Sequence, residues 1–589
     1  MKRILKTISV LLVSLLFLVP VFFCFAEKDF SDASENPSLN LNIKPFAQSN
    51  VTMSVTELPD NPEDSRYWFF LPADCDDSVT VLFPYEFLTV NGNVLHSGDT
   101  TDLIAKGGKL NIKTPDQSLY PITVAKSDKI PSVYITTESG SLKNIHADKE
   151  LKETGAFTLV NNGEEEIAGA ALSHIKGRGN SSWKSNEKRC YSLKFEDKKS
   201  LLGMNAAKRW ALVSNNMDPT LMRNALTYSV AQFTMLPYTV DFRFVDLYIN
   251  GIYRGNYMLT EKIEIGKGRI EINNLSKQNK KANEGTELSE AQRIVEKVGS
   301  QKLAYYAIND PDEISGGYLL EAEYANSFET SESAFLTKTG ICMLLHEPEY
   351  ASRNEVLHVS RLYKQLEEAL LSKDGKNKEG KHFSEYIDMN SAIDELLIYE
   401  LMANSDRGLT SLYLYLPENS NKFFMGPVWD FDMGLINPEE RLMGSEALAG
   451  YQPNKETHSL IYMLMSHDEV IDRMSERLIE LKPLLTEKMN ASFVSIKSLI
   501  ESSAKADRLR WNYELAQSGD INLDSYITRR IDFMKQTYDN MDDAVREIKA
   551  EEAPSARLII TAIVGGVVVI AAAVIVVTTK KKRKVDVGV

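Results

Sequence analysis

The hydrophobic period of this chain changes partway along, and that change limits its fold more than any other feature. From Glu355 onward, apolar residues recur at helical spacing in EVLHVSRLYKQLEEALLS, SAIDELLIYELMANS and SLIYMLMSHDEVIDRMSERLIELKPLL, with a long tail to Lys549. Before that point the texture is mostly strand-like. The hairpin signal is strongest in FRFVDLYINGIYRGNYMLTEKIEI, where two apolar runs flank Asn250-Gly251. SGGYLLEAEY at 315–324 also reads as strand. The order is a β-rich lobe followed by a helical lobe, which is an α+β chain.

Residues 41–126 read as all-β. VTMSVTEL, RYWFFLP, SVTVLFPY and LYPITVAK are rich in β-branched and aromatic residues, and DNPEDS, NGN and KGG separate them as turns. A small β-sandwich acting as a spacer or adhesion module is expected over 27–128, after a loose polar start. Residues 274–312 are charged and poor in aromatics, and SKQNKKANEGTELSEAQ reads as a flexible insertion.

The two ends speak to location. Lys2, Arg3 and Lys6 precede an apolar run that ends near Cys24 and Ala26, the pattern of a secretory signal peptide over 1–26. The uncharged run from Leu558 to Val577 has the length of a membrane-spanning helix. Lys580, Lys581, Lys582, Arg583 and Lys584 follow it, so 578–589 reads as a basic cytoplasmic tail. The expected topology is a single-pass cell-membrane protein with most of its chain extracellular. Cys75, Cys190 and Cys342 would remain after cleavage, too few for a disulfide framework and wrongly spaced for zinc. The net charge of −15 argues against a nucleic-acid partner.

Four stretches carry candidate chemistry. In IKGRGNSSW, Gly177 and Gly179 free the backbone around Arg178, Asn180 and Ser181, so N–H groups can lie along phosphates. Taken alone, the stretch reads more readily as a plain hairpin whose glycines make the turn. In YSLKF, Lys194 points away from Leu193 and Phe195. It faces either solvent or a nucleotide's phosphates. In DPTLMRNALTYSVAQF, Asp218 as N-cap and Pro219 begin a helix over 218–233, and Arg223 in its first turns would favour an anion. Asp406 falls in a loop after a helix and before the strand SLYLYL; FFMGPVWDFDMGLIN follows. On a strand, Asp430 and Asp432 would share one side and repel unless a cation sat between them. A loop carboxylate, a β-hairpin and an Asp-x-Gly form the layout of a phosphoryl-transfer site.

Together these stretches resemble the CotH (spore coat protein H) kinase family, an atypical secreted branch of the protein-kinase-like fold. KGRGNSSW, YSLKF, LLGMNAAKRWALVSNNMDPTLMRN, FVDLYINGIYRGNYMLTEKIE, SGGYLLEAE and FMGPVWDFDMGLIN carry the resemblance. It implies a two-lobed kinase-like domain over 129–549 that transfers the γ-phosphate of ATP, with Mg²⁺ or Mn²⁺, to serine or threonine of exported proteins. It also implies site roles. Gly177, Arg178, Gly179, Asn180 and Ser181 cover the phosphates, and Lys194 is the β-lobe lysine. Thr260 and Glu261 lie near the hinge. Asp406 is the catalytic aspartate, with Asn404 fixing its loop, and Asp430 and Asp432 hold the metal. Ser411 stands where kinases place a metal-binding asparagine. The helix after Pro219 holds no glutamate to pair with Lys194, which leaves Asp218, Glu261 or an inserted segment for that task. Two readings without catalysis stay open: a cell-surface adhesin on a kinase-like fold, and a structural envelope protein.

Overall fold

A computed structural model of the chain describes residues 38–58, 66–185, 187–402, 404, 408–434 and 459–512. The expected signal peptide, membrane span and basic tail lie outside them, as does Asp406. Among the described residues, no helix is long and apolar enough to cross a membrane.

Among the described residues of 38–127 the regular elements are strands, in two sheets. One orders Met53–Ser54, Asn42–Lys44, Val79–Leu82 and Thr100–Thr101. The other orders Thr56–Glu57, Tyr67–Leu71, Leu119–Lys126, Gly108–Lys113, Leu88–Val90 and Asn93–Leu95. Trp68, Phe69, Ile43 and Val79 are buried between them.

The next seven strands close a barrel. They are β1 (Ser132–Thr137), β2 (Glu153–Asn161), β3 (Glu164–Arg178), β4 (Cys190–Lys199), β5 (Ala207–Val213), β6 (Phe242–Ile249) and β7 (Ile252–Glu261), in the order β1-β2-β3-β4-β5-β7-β6. Parallel pairing of β1 with β6 closes the ring. Asn250 and Gly251 both have positive φ, +52° and +80°, which suits the tight turn joining β6 to β7. Alternation sends Leu193, Phe195, Trp210, Leu212 and Leu259 into the barrel core and Lys194 and Arg209 outward.

Helix α1 (Arg223–Ala231) packs outside the barrel. It starts later than the sequence suggests. Asp218 does not cap it from one residue back; its carboxylate accepts the N–H groups of Thr220 and Arg223 at 2.8 Å each, folding residues 218–222 into a turn with Leu221 at φ +61°. The helical half also holds a sheet that the sequence showed only in part: β8 (Arg293–Val298), β9 (Gln301–Tyr306), β10 (Tyr318–Tyr324), β11 (Ala334–Leu336), β12 (Ile341–Glu347), β13 (Leu412–Leu416) and β14 (Phe424–Met425). Its order is β8-β9-β11-β12-β10-β13-β14.

The expected flexible insertion is ordered. Helix α2 (Leu275–Ala282) is capped by Asn274, and its buried Asn279 donates to the Tyr350 carbonyl and to Glu355. Its polar composition hid an inward-facing Leu275 and Asn279. Helices α3 (Arg353–Leu370), α4 (Met389–Met402) and α5 (Leu460–Met465) complete this part, with a capping box at Ser352 and Glu355 starting α3.

Helix α6 (Asp468–Trp511) spans roughly 66 Å at 1.5 Å per residue and reaches back to the barrel. Its last turns make a buried polar joint with the β6–β7 hairpin. Lys188 and Asp507 pair at 2.7 Å with almost no exposure. Asp507 also accepts the Asn256 N–H at 2.8 Å, and Ser503 donates to Asp246 at 2.6 Å. Gly255, at φ +106°, lies so close that any Cβ there would overlap the Asp507 carboxylate. Breaking a buried pair on one side leaves the other charge stranded. Lys188→Met is therefore expected to cost about 3–5 kcal/mol in chemical denaturation, and Asp507→Leu added to it to recover part of that loss.

Candidate active site

The Pro427–Gly434 stretch forms a buried turn, not a strand. Val428, Trp429 and Phe431 are packed away, and Asp430 adopts φ +62°. A left-handed non-glycine residue costs of order 1–3 kcal/mol and persists only where its surroundings hold it. They do so here through the backbone. Asn404 donates to the Asp430 carbonyl at 3.2 Å, and Asn224 accepts the Phe431 N–H at 2.7 Å. Arg223 donates to the Asp432 carbonyl at 2.9 Å. The Tyr228 ring stacks on Trp429 with centroids 5.9 Å apart, and its hydroxyl meets the Asp430 backbone. Asp430 and Asp432 therefore do not share one side of a strand: one sharp turn, clasped by α1, presents them.

Arg223 is consequently engaged. It is buried, its Nε lies 3.4 Å from Asp218, and its Nη1 holds the turn. It braces the site and does not extend toward an anion.

The Asp430 carboxyl is pushed above the usual carboxylate range by burial, with nearby Glu321 acting in the same direction. Arg178 and a hydrogen bond from Ser411 oppose this. Ser411 itself has φ +56°. Asp432 is nine-tenths buried, 9% exposed. Among the described residues, no three His, Cys, Asp or Glu side chains converge in a way that could hold a metal ion. The donors at this turn are nonetheless all oxygen, as Mg²⁺ or Mn²⁺ prefers, and the desolvated Asp430 carboxyl is a group that a divalent cation would stabilise in its charged form.

Arg178 comes from the glycine hairpin. Its guanidinium lies 5.0 Å over the Trp429 ring, next to Asp430 in sequence. The glycines around it have packing duties. A Cβ on Gly177 would run into Trp183, and Gly179 has φ +95°. Lys149 bonds the Gly179 carbonyl and the Asn180 side chain at 3.0 Å each, and the short helical turn Ser181–Ser185 follows. From this stretch, Arg178 is brought toward the acidic turn by its side chain.

Lys194 stands on the outer barrel wall, between His174 and Arg209 across the strands. It lines a cleft of ≈ 300 Å³ with Lys198, Lys208, Arg209, Lys267 and Glu347. Burial lowers its amine first, and the cations Arg209, Lys152, Lys280 and Lys208 lower it further. Glu261 is not its partner. Glu261 pairs with Trp210 on the opposite face of the strands, accepts from Tyr238 at 2.8 Å and lies 3.7 Å from Arg269. Burial raises its carboxyl.

The family model described as CotH kinase protein matches residues 175–550, from the glycine hairpin through the long helix and beyond. The chain belongs to the CotH kinase family. No curated protein matches it. CotH membership makes it a kinase-like protein, and the matched span contains the glycine hairpin, Lys194, Arg223 and the 430–432 turn.

This CotH chain also carries groups that sequence reading passed over. Glu321 contacts His346 and bonds Tyr413, and His346 stacks on Tyr413 at 5.7 Å. Glu323 beside them is pushed up to about 7 by burial. The only sequence signal was two glutamates two apart within the apolar run YLLEAEY. The grip on the turn is testable. Asn224→Ala strands the buried Phe431 N–H and is expected to cost about 1–3 kcal/mol in chemical denaturation, with a changed Trp429 fluorescence environment.

Proposed function

We propose that the protein is a membrane-anchored extracellular kinase. It transfers the γ-phosphate of ATP to serine or threonine of exported or cell-surface proteins, with Mg²⁺ or Mn²⁺. The observation that carries this reading is the meeting of Arg178 with the Trp429–Asp430 turn: a cation from the glycine hairpin is held over the very residues that present the acid. A cation for phosphate oxygens and a carboxylate for a divalent ion on facing walls are what phosphoryl transfer needs.

In this reading Asp406 orients the acceptor hydroxyl and takes its proton. The acceptor oxygen bonds the γ-phosphorus as the bond to the β-phosphate oxygen breaks, and ADP leaves. Asp430 and Asp432, with Ser411, are the groups to hold the divalent ion, whose charge offsets that of the phosphates. Arg178 steadies the donor. Asn404, Asn224 and Arg223 keep the turn in place. The apolar run Leu558–Val577 is the anchor, with the basic tail inside the cell. No nucleic acid takes part.

Purified residues 27–550 incubated with γ-labelled ATP and Mg²⁺ or Mn²⁺ are expected to label themselves or a co-expressed exported protein at serine or threonine. Asp406→Asn and Asp430→Ala are each expected to lower labelling by about 10²-fold or more without unfolding the chain. Labelling retained in both variants contradicts these roles.

A further inference from the structure

The barrel wall facing the cleft is patterned with cations. Strand register sets His174, Lys194 and Arg209 in one row across β3, β4 and β5. Trp210 pairs with Glu261, so Lys262 continues the Arg209 row at the end of β7. Two residues along from His174 come Lys176 and then Arg178, on the same face of β3. The row between Arg209 and Arg178 is made of small side chains, Ser192, Ala211 and Thr260, in register with Lys176.

These cations differ in how far they are neutralised. Lys176 is paired with Glu150 at 2.5 Å, and Arg209 reaches Glu264 only at 4.0 Å. Lys262 has no ion-pair partner among the described residues; its carbonyl is anchored by Arg269 at 3.0 Å. The residue is exposed overall, yet protein atoms crowd its amine. That burial pulls the amine down to about 8, with Arg209 and Arg178 pushing the same way and Glu264 opposing them. Lys194 feels Arg209 and three outlying lysines, and Arg178 is not among its main neighbours. A lysine among arginines whose nearby acid, Glu264, is already paired with Arg269 at 2.5 Å is short of an anion.

We propose that Lys262, flanked by Arg178 and Arg209, is the lysine that grips an oligophosphate chain, and that Lys194 lies to the side of that grip. The proposal rests on the ATP-donor reading for the identity of the natural ligand, while the anion site itself is argued from the wall alone.

Inorganic tripolyphosphate, titrated calorimetrically into residues 27–550, tests it. Lys262→Gln and Arg178→Gln are each expected to weaken binding about tenfold or more, Lys262→Arg to stay within about threefold of the parent, and Lys194→Gln likewise. Unchanged binding in Lys262→Gln, a loss in Lys194→Gln as large as in Lys262→Gln, or no binding by the parent chain would overturn it. Tripolyphosphate held through Lys262 without any transfer from ATP would support this site and sink the kinase reading. ATP labelling together with a Lys262→Gln chain that binds tripolyphosphate normally would do the reverse.

Discussion

The site depends on a backbone clasp. Two consecutive residues of α1, Arg223 and Asn224, take hold of the Asp432 carbonyl and the Phe431 N–H of a turn about two hundred residues later in the chain. Backbone groups in a buried turn must find partners, and side chains from a different part of the fold supply them here. The clasp fixes the direction of both aspartates and forces the left-handed backbone at Asp430. Asp218 is the brace behind it. By bonding the Arg223 N–H and lying against its guanidinium, it aims the arginine at the turn. Helix α1, whose apolar residues share a core with α4 and α6, thus positions an acid about two hundred residues further along the chain.

The glycine hairpin that carries Arg178 is held from the far end of the chain. Lys188 lies in the connection between β3 and β4, which begins with Gly179 and Asn180 just after Arg178. Asn216 ties that connection by donating to the carbonyls of Ser182 and Lys188 at 2.8 and 2.9 Å. The buried pair with Asp507 then locks it to α6. The described part of the glycine hairpin is therefore tied on several sides, and Arg178 reaches from it toward Trp429. Such pre-organisation is what electrostatic stabilisation of a transferring phosphoryl group requires.

Much of this was legible in the sequence, and the failures share a cause. The Asn250-Gly251 hairpin, the strand under YSLKF and the strand SLYLYL followed from local pattern, because turn chemistry and period-two alternation act over a few residues. Arg178, Asp430 and Ser411 do meet around one turn. Arg223 and Glu261 were the right residue types in the wrong roles. Which charge faces which is set by strand register and by long-range contact: Glu261 shares a row with Trp210, so it cannot face Lys194. The strands around 293–306 were missed because they cross a charged region whose burial comes from the sheet it joins, and those around 334–347 because short apolar runs such as ICMLLHE carry no period that marks strand over helix.

The most direct test of the account is the place where metal and nucleotide sit. Crystals of the exported chain grown with Mn²⁺ and a non-hydrolysable ATP analogue would locate the metal by its anomalous scattering. The account predicts an Mn²⁺ peak about 2.1–2.2 Å from a carboxylate oxygen of Asp430, with the phosphate chain running from it toward Arg178. A metal bound elsewhere, or a nucleotide lodged away from the 430–432 turn, would contradict it.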